Sequence, residues 1–348
     1  MKLTFIVGAR PQFIKLAPIW KAAKSLKHNI RIIHTGQHYD DKLSKIFFSE
    51  LGIPKPNNNL GVGSLSHAKQ TGMMMEKLEA EFIQNKPDWI LVFGDTNSTL
   101  AGALTASKLG IKTAHIEAGL RSYNKEMPEE INRVVTDHLS ELLFVPTEQG
   151  MKNLKLEGLE SKSFQTGDLM ADLLKNMKKD IKAKRKKYDD YYLLTLHRPA
   201  SVDNIETFNW ILQQIASLEE NIIFPIHPRT LNTIKTNRIK INTNIKIISP
   251  QGYSDFQTLI ANCKGVLTDS GGIQKEAYLW KKPCFTIRSE TEWIETVELG
   301  WNTIVKPNEG NLKKTIASWK KPEKYNNIYG NGNSAHTIIQ KLSGKKSA

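Results

Sequence analysis

The chain contains 348 residues, and at about 150 residues per domain this length predicts two domains of ordinary size. Hydrophobic residues make up 39% of the sequence and charged residues 24%, a balance typical of globular proteins that excludes collagen, a coiled coil or general disorder. The two cysteines, Cys263 and Cys284, are too few for a disulfide framework or a four-thiolate metal site, which favours a reducing compartment. The apolar runs have strand length and the stretch before Gly8 is too short for a signal peptide, so we expect no membrane span and a cytoplasmic location.

The formal net charge of +14 is concentrated in two segments. Residues 171–187 carry eight basic and two acidic side chains, and residues 311–348 carry eight basic and one acidic side chain. The remainder is close to neutral, and no zinc-finger, RNP or KH signature accompanies the charge. We interpret the two segments as a solvated linker helix and a tail and expect no nucleic-acid partner; attraction for acidic partners or a membrane surface is the alternative.

Short β-rich apolar runs alternate with segments of helical period from the start of the chain. In chain order they predict a strand at 3–7, a helix at 12–25, strands at 30–34 and 89–93, a helix at 99–109, and strands at 112–116 and 142–145. The alternation restarts after the lysine-rich segment with a strand at 192–196, a helix at 205–217, strands at 222–226, 245–248 and 265–268, a helix at 273–279, and a strand at 284–287. Such spacing predicts parallel sheets covered by helices.

Two open α/β domains in tandem follow from this pattern. We place an N-terminal domain at residues 1–168, a second domain at 169–330, and a C-terminal helix and tail at 331–348. Ligands of open α/β sheets bind beyond the carboxyl ends of the strands, so the residues directly after each strand are the informative ones. With two such domains, we expect the site in the cleft between them.

The turn after the first predicted strand has features of a phosphate site. Gly8 permits a tight turn, Pro11 suits a first helical turn, and the N-terminus of the following helix offers N–H groups to an anion. Arg10 can add a bidentate contact and Lys15 a point charge. A packing role for this glycine and arginine is the competing interpretation.

Three carboxylates follow two neighbouring strands. Asp95 comes after the strand at 89–93, Glu117 ends the strand at 112–116, and Glu129 follows shortly afterwards. Acids that converge in a cleft have pKa values shifted into the range of a general acid or base. Asp95 could instead cap a helix, and an ion-pair network with Arg121 and Arg133 is the structural alternative.

The second half of the chain offers a nucleotide-binding pattern. His197 stands at the carboxyl end of a predicted strand, a position that favours a ligand contact. Ser270, Gly271 and Gly272 lie where a strand leads into a helix, so their N–H groups can bind a diphosphate, and Glu276 can accept from a ribose diol. The chain has no Walker A motif, no GxGxxG turn and no metal-site spacing.

Seven motifs, in this order and at these separations, resemble the non-hydrolysing UDP-N-acetylglucosamine 2-epimerase family. They are GARPQFIK, HTGQHYD, FGDTNSTLAGAL, HIEAGLRS, MPEEINR, LHRP and TDSGGIQKEA. The resemblance extends from Gly8 to about Leu299. It implies an α/β fold of the GT-B type, two Rossmann-like parallel-sheet domains facing a cleft that closes on a UDP-sugar, a homodimer, and a last helix near 334–342 that returns to the first domain.

The resemblance also implies roles for individual residues. The groups near the diphosphate and sugar match Arg10 and Lys15, the catalytic carboxylates match Asp95, Glu117 and Glu129, and the histidine near the UDP phosphates matches His197. The residues flanking the uracil match Gln251 and Phe256, the diphosphate turn matches Ser270, Gly271 and Gly272, and the ribose carboxylate matches Glu276.

The implied reaction inverts C2 of a UDP-N-acetylamino sugar for surface polysaccharide synthesis. Because the C2 proton is not acidic, the route is an anti elimination that expels UDP from C1, followed by re-addition to 2-acetamidoglucal with protonation on the opposite face. Asp95 is our first choice for the base, with Glu117 and Glu129 tuning it or returning the proton. No metal or redox cofactor is required.

Two positions depart from the common family pattern. Trp293, in the sequence TEW, stands where the common enzymes have an arginine on the substrate side, and this version is more similar to the UDP-2,3-diacetamido-2,3-dideoxy-glucuronate 2-epimerases. Asn331 stands where the family often has aspartate. The competing functions are a hydrolysing epimerase and a GT-B glycosyltransferase, while a nucleic-acid binder rests only on net charge.

Overall fold

The computed structural model describes residues 1–37 and 48–344. The chain forms two compact units, an N-terminal unit of Met1–Asn176 with the segment from Asn327 onward, and a C-terminal unit of Met177–Asn326. The helix Leu169–Ala183 carries the boundary between them, so its first residues belong to the N-terminal unit. The last three residues of the HTGQHYD motif and the end of the predicted tail, residues 345–348, lie outside the described residues.

The N-terminal unit contains a parallel sheet of seven strands in the order β3-β2-β1-β4-β5-β6-β7. The strands are β1 Lys2–Val7, β2 Asn29–His34, β3 Asn58–Asn59, β4 Trp89–Phe93, β5 Lys112–Ile116, β6 Leu142–Val145 and β7 Ser163–Gln165. The strand order reverses direction between β1 and β4, which pair directly. The carboxyl ends of these two strands are therefore the switch point at which a doubly wound sheet binds its ligand.

Helices cover both faces of this sheet. They are Arg10–Ser25, His67–Gln84, Asn97–Lys108, Pro128–Leu139, Glu148–Leu156 and, from the end of the chain, Ser334–Leu342. The helix His67–Gln84 lays Met74, Leu78 and Phe82 against Ile90 and Val92 of β4, and all five side chains are almost fully buried. Helical spacing of the three apolar residues and burial of the strand on both faces account for this packing.

The C-terminal unit contains a second parallel sheet, of six strands in the order β10-β9-β8-β11-β12-β13. The strands are β8 Tyr191–Thr195, β9 Asn221–Pro225, β10 Ile245–Ile248, β11 Gly265–Thr268, β12 Cys284–Thr286 and β13 Asn302–Ile304. Its helices are Pro199–Val202, Ile205–Ala216, Pro228–Thr236, Tyr253–Asn262, Gly271–Leu279, Ile294–Glu298 and Leu312–Ser318. The strand order reverses between β8 and β11, so the switch point lies at their carboxyl ends.

The strands and helices predicted from periodicity are present, with each end within two residues of its predicted position. The edge strands β3, β7 and β13 were not predicted, because two or three residues are too few to establish a period. Several helices were missed as well, among them His67–Gln84, Pro128–Leu139 and Pro228–Thr236; the sequence of the last, PRTLNTIKT, is largely polar. In the described part of the chain, no helix combines the length and apolar character needed to cross a membrane.

Candidate active site

Lys15 and Glu117 form a buried ion pair in the N-terminal unit. Lys15 lies in the second turn of the helix that follows β1, and Glu117 comes directly after β5. The Lys15 residue is only 6% exposed. Burial of an ammonium group is tolerated only with a close anionic partner, so the pair fixes both side chains at the sheet's carboxyl edge.

Asp95 directly follows Gly94, the glycine against which this ion pair lies. A side chain on Gly94 would lie 3.1 Å from the Glu117 carboxylate and 3.4 Å from the Lys15 ammonium, so the glycine allows close approach. The Asp95 carboxylate pairs with Arg133, and its backbone carbonyl accepts from Asn132 Nδ2 at 2.9 Å. Asp95 and Glu117 are thus brought together around Gly94, with each carboxylate paired to a different cation.

Glu129 and Glu130 begin the helix Pro128–Leu139, but only Glu130 is buried. The Glu130 carboxylate accepts from the backbone N–H groups of Ser122 and Tyr123 at 2.9 Å each and pairs with Arg133 at 3.1 Å. Glu130 therefore holds the loop after β5, a role that the sequence analysis did not assign. Glu129 is exposed to solvent. It lies on the same helix as Asn132 and Arg133, whose side chains donate to Asp95.

The backbone of Glu117 adopts φ +71°, in the left-handed region that a residue with a side chain rarely occupies. The N–H groups of Glu117 and Ala118 both donate to the carbonyl of Phe144 on β6, at 3.1 Å each. Such a conformation costs about 1–3 kcal/mol and persists where surrounding structure enforces it. Strain of this kind concentrates at functional positions, which supports an active role for Glu117.

Arg10 is exposed at the first position of the helix Arg10–Ser25. The N-cap is Ala9, whose side chain cannot accept a hydrogen bond. The side chain of Gln12 instead holds the backbone that leads into the helix. Gln12 Oε1 accepts from the N–H groups of Gly8 at 2.7 Å and Ala9 at 3.0 Å. The turn before Arg10 is therefore held from within the helix, and the arginine side chain extends from a fixed backbone.

A polar network next to the loop after β5, with His115, Arg121 and Asp137 buried, was not predicted. Asp137 accepts from a ring nitrogen of His115 at 2.7 Å and from Arg121 Nη1 at 2.8 Å, and Arg121 in turn pairs with Glu157 at 2.6 Å. Burial opposes ionisation of Asp137, but the charges and hydrogen bonds of His115 and Arg121 hold the pKa of its carboxyl below the ordinary value. The motif HIEAGLRS gave the signal, since a histidine within a buried strand needs polar partners.

In the C-terminal unit, His197 follows β8 and is oriented by Asp269, which follows β11. Asp269 Oδ2 accepts from the backbone N–H groups of His197 and Arg198 at 2.9 Å each, and Oδ1 lies 3.3 Å from His197 Nδ1. Asp269 is fully buried, whereas the His197 side chain is 40% exposed. Asp269 therefore orients the ring of His197 from its Nδ1 side, at the carboxyl end of β8.

The turn at Ser270, Gly271 and Gly272 begins the helix Gly271–Leu279 with Ser270 as its N-cap. The first N–H groups of a helix have no acceptor within it, so they can bind an anion. A side chain on Gly271 would collide with the Glu292 carboxylate, whereas Gly272 faces open space within 4 Å. Gly271 is therefore required for close packing, and Gly272 leaves the turn accessible.

Glu292 is held between two arginines next to this turn. Arg288 Nη1 lies 2.9 Å and Arg198 Nη2 3.8 Å from its carboxylate oxygens. Arg288 comes two residues after the end of β12, near the carboxyl edge of the sheet where such sheets bind ligands. Neither arginine was singled out in the sequence, although both stand beside strand ends.

Trp293 and Glu276 are both almost completely buried, at 3% and 4% exposure. The Lys275 ammonium lies 4.3 Å from the centre of the Trp293 ring, a cation–π contact. Trp293 therefore packs against the first turns of the helix Gly271–Leu279, which also carries Glu276.

Phe256 belongs to the hydrophobic core of the C-terminal unit, with Leu259, Ile260 and Cys263. Gln251 lies just before its helix, half-buried, and donates to the Ser249 carbonyl at 2.6 Å. These two positions are close in sequence but have different surroundings. No cluster of three or more metal-binding side chains occurs among the described residues.

Two doubly wound parallel sheets, each with charged side chains and a helix N-terminus at its switch point, define a two-domain α/β enzyme fold of the GT-B type. The sequence model of the UDP-N-acetylglucosamine 2-epimerase family matches residues 21–343. The chain therefore belongs to the UDP-N-acetylglucosamine 2-epimerase family, which confirms the family and fold expected from its motifs.

Individual relatives agree with this assignment. A UDP-N-acetylglucosamine 2-epimerase homolog of Methanococcus maripaludis is 50% identical, covering 98% of this chain and 99% of the relative. The UDP-2,3-diacetamido-2,3-dideoxy-D-glucuronate 2-epimerase of Pseudomonas aeruginosa is 41% identical over 98% of this chain and 99% of its own. The crystal structure of the Methanocaldococcus jannaschii UDP-GlcNAc 2-epimerase in complex with UDP-GlcNAc and UDP is 44% identical, with a TM-score of 0.94 over 99% of this chain and 100% of that chain.

Proposed function

We propose that this protein inverts C2 of a UDP-N-acetylamino sugar without net hydrolysis, with UDP-N-acetylglucosamine as the first substrate to test. The observation that carries the proposal is the arrangement around Gly94. The buried pair of Lys15 and Glu117 adjoins this glycine, and Asp95 follows it, in a chain of the 2-epimerase family. Two carboxylates and a cation at one strand edge are the groups that elimination and re-addition of a leaving group need.

The proposed reaction proceeds in two balanced steps. In the first step, a carboxylate takes the C2 proton, the C2–H electrons form the C1=C2 double bond, and UDP leaves C1 with the electron pair of the C1–O bond. In the second step, an oxygen of UDP re-forms the bond to C1, and an acid on the opposite face protonates C2. The overall change is the configuration at C2, with no oxidant or reductant consumed.

We assign the base to Asp95. Arg133 and Asn132 hold it from one side, while its carboxylate is 29% exposed and can reach a substrate. Glu117, kept in a strained conformation and paired with Lys15, is the candidate for returning the proton. Glu129 is the third candidate, since it is exposed on the helix whose Arg133 pairs with Asp95.

The C-terminal unit is assigned to the UDP group. His197, oriented by the buried Asp269, and the helix N-terminus at Ser270, Gly271 and Gly272 would stabilise the diphosphate as it departs. Arg10 of the N-terminal unit would add a further cation to the diphosphate. Glu276 is assigned to the ribose, and Gln251 and Phe256 to the uracil.

Two observations favour a second substrate. The sequence TEW at Trp293 and the 41% identity to the Pseudomonas enzyme both point to UDP-2,3-diacetamido-2,3-dideoxy-D-glucuronate. The reaction at C2 is the same for both sugars, so the choice concerns the substituents at C3 and C6.

Proton NMR of each UDP-sugar in deuterated water tests the proposal. Epimerisation incorporates deuterium at C2 and yields both C2 epimers, and UDP does not accumulate with free sugar. Stoichiometric release of UDP and free sugar would indicate a hydrolysing enzyme. Retention of hydrogen at C2 in both UDP-sugars, with transfer only when an acceptor is added, would indicate a glycosyltransferase and contradict the proposal.

We also propose that the enzyme is a cytoplasmic homodimer that supplies surface polysaccharide synthesis. The two cysteines are both free and buried, as expected in a reducing compartment. Exposed apolar side chains such as Ile131 and Leu156 in the N-terminal unit are candidates for subunit contacts. Sedimentation equilibrium measures the oligomeric state directly, and a monomer at micromolar concentration would contradict the dimer.

A further inference from the structure

His115 lies on β5, is completely buried, and has an acceptor at each ring nitrogen. Nδ1 is 2.7 Å from Oδ1 of Asp137, and Nε2 is 2.7 Å from the carbonyl oxygen of Gly94. The histidine thus connects the polar network below the sheet edge to the turn that carries Asp95.

The two acceptors determine where the ring protons are. A carbonyl oxygen cannot donate, so Nε2 carries a proton toward Gly94. The Asp137 carboxylate accepts from Arg121 at 2.8 Å and from the Gly119 N–H at 3.1 Å. His115 therefore donates from Nε2 to the Gly94 carbonyl, and the Asp137 carboxylate holds its other ring nitrogen.

The polar network around His115 is closely paired. Arg121 lies 2.8 Å from Asp137 and 2.6 Å from Glu157, and Lys162 donates to the backbone carbonyl of Asp137 at 2.9 Å, near the end of the helix Pro128–Leu139. A buried polar group that is hydrogen-bonded on both sides avoids most of the cost of desolvation.

The hydrogen bond to Gly94 has a consequence for the candidate catalytic groups. Gly94 donates its N–H to the Ile116 carbonyl at 2.9 Å and gives its own carbonyl to His115, so its peptide groups are fixed on both sides. The Lys15 and Glu117 pair lies against its α-carbon. The position of Asp95 relative to Glu117 therefore depends on the orientation of this one residue.

We propose that His115 is a positioning residue, whose ring holds the Gly94 carbonyl and so sets the placement of Asp95 beside the Lys15 and Glu117 pair. The expected effect on turnover rests on the proposed function, whereas the expected effect of His115 on the Gly94 backbone does not. Misplacement of a reacting group by about 1 Å lowers turnover by about a hundredfold.

The kinetic test compares three variants. His115→Phe keeps the ring volume and removes both hydrogen bonds, and we expect kcat to fall by about a hundredfold with little change in KM. His115→Gln can still donate to Gly94 and should recover most of this loss. Thr113→Val is the matched control, since Thr113 is buried on the same strand and its hydroxyl has no hydrogen-bond partner among the described residues.

Two further readouts do not require activity. In a ¹⁵N-histidine NMR spectrum, the wild type should show one ring whose Nε2–H is protected from exchange with solvent, absent in His115→Phe. Hydrogen–deuterium exchange at the Gly94 amide should rise in His115→Phe and stay unchanged in Thr113→Val.

The outcomes separate the two proposals. An inactive wild type with the expected NMR and exchange results would contradict the proposed function and support the inference. An active wild type in which His115→Phe has the kcat of Thr113→Val, or in which no protected Nε2–H of His115 is seen, would overturn the inference and leave the function intact.

Discussion

The side-chain amide of Gln12 donates to the carbonyl oxygen of Phe93 over 2.9 Å and so connects the turn after β1 to the turn after β4. The same nitrogen also lies within hydrogen-bond distance of the hydroxyls of Thr96 and Thr99, the two residues of the capping box at the start of the next helix. Because Gln12 Oε1 holds the turn before Arg10, one side chain orders both halves of the switch point.

We expect Gln12→Ala to lower both stability and turnover. Removing the amide leaves several buried backbone groups without their partner, at a cost of about 1–3 kcal/mol in the free energy of unfolding. Urea denaturation and the epimerisation rate measure the two effects. Gln149→Ala is the control, since Gln149 makes a single hydrogen bond to Asn153 within one helix; an equal loss in both variants would contradict a special role for Gln12.

Asp95→Asn should abolish most turnover while UDP binding is retained. The amide keeps the shape of the side chain but cannot accept the C2 proton, and loss of a general base lowers rates by about 10²–10⁴-fold. NMR turnover and calorimetric UDP binding check the two parts. Asp88→Asn at the opposite end of β4, where Asp88 accepts from the Lys2 N–H at 2.7 Å, is the matched control and should retain activity.

Much of the first-unit site was predictable because the relevant side chains follow strands directly. Asp95 and Glu117 come after β4 and β5, and adjacent parallel strands bring their carboxyl ends together. The partners were less predictable. Arg133 and Arg121 were both expected in a general ion-pair network. In the structure Arg133 pairs with Asp95, whereas Arg121 pairs with the buried Asp137. Such choices depend on side-chain direction across helices, which sequence spacing does not determine.

Phe256 and Trp293 show a different limit of prediction from sequence. Without the resemblance, Phe256 reads as an apolar position on a helix, and the structure indeed packs it in the core. Trp293 was compared with an arginine of the common enzymes, yet its ring is buried against Lys275. A motif aligns positions along a chain, but burial depends on how the neighbouring helix packs.

The Lys15 and Glu117 pair should show strong coupling in a double-mutant cycle. Glu117→Gln leaves a buried ammonium without its counterion, and breaking a buried pair in this way costs about 3–5 kcal/mol. The double variant Lys15→Met with Glu117→Gln removes both charges and should recover much of that loss, while turnover stays low. Urea denaturation gives the four unfolding free energies, and additive single effects would contradict the pairing.

Asp137 and Asp172 should change the free energy of unfolding in opposite directions as the pH rises from the acid range. The pKa of Asp137 is lowered, because His115 and Arg121 outweigh its burial, so its contribution is present above the unfolded-state pKa and is lost as pH falls through the lower folded value. The pKa of Asp172 is raised, chiefly by burial, although it accepts from the N–H groups of Ser334 and Ala335. Its ionisation on raising the pH therefore lowers stability.

Urea denaturation between about pH 2 and 6 distinguishes the two aspartates, because each slope follows the difference in protons bound by the folded and unfolded chain. Asp137→Asn should remove part of the rise in unfolding free energy with pH at the acid end. Asp172→Asn should steepen the same rise, since the opposing contribution is gone. Identical pH profiles for the two variants would contradict the assigned directions.

Replacing Trp293 by the arginine of the common family pattern should destabilise the protein. Trp293→Arg would put a second cation against the Lys275 ammonium, which lies 4.3 Å from the present ring, at a position only 3% exposed. A like-charge contact of this kind, away from water, is far more costly than one on the surface. We therefore expect a clear drop in Tm rather than a simple exchange of substrate preference.

Three further variants make the Trp293 test specific. Trp293→Phe keeps an aromatic face for Lys275 and should retain most of the stability and the wild-type ratio of turnover on the two UDP-sugars. Lys275→Met combined with Trp293→Arg removes the repulsion and should recover much of the loss in Tm. Trp20→Arg is the surface control, because Lys24 lies 4.9 Å over a half-buried ring there. If Trp293→Arg and Trp20→Arg shift Tm equally, burial of Trp293 against Lys275 is not the cause.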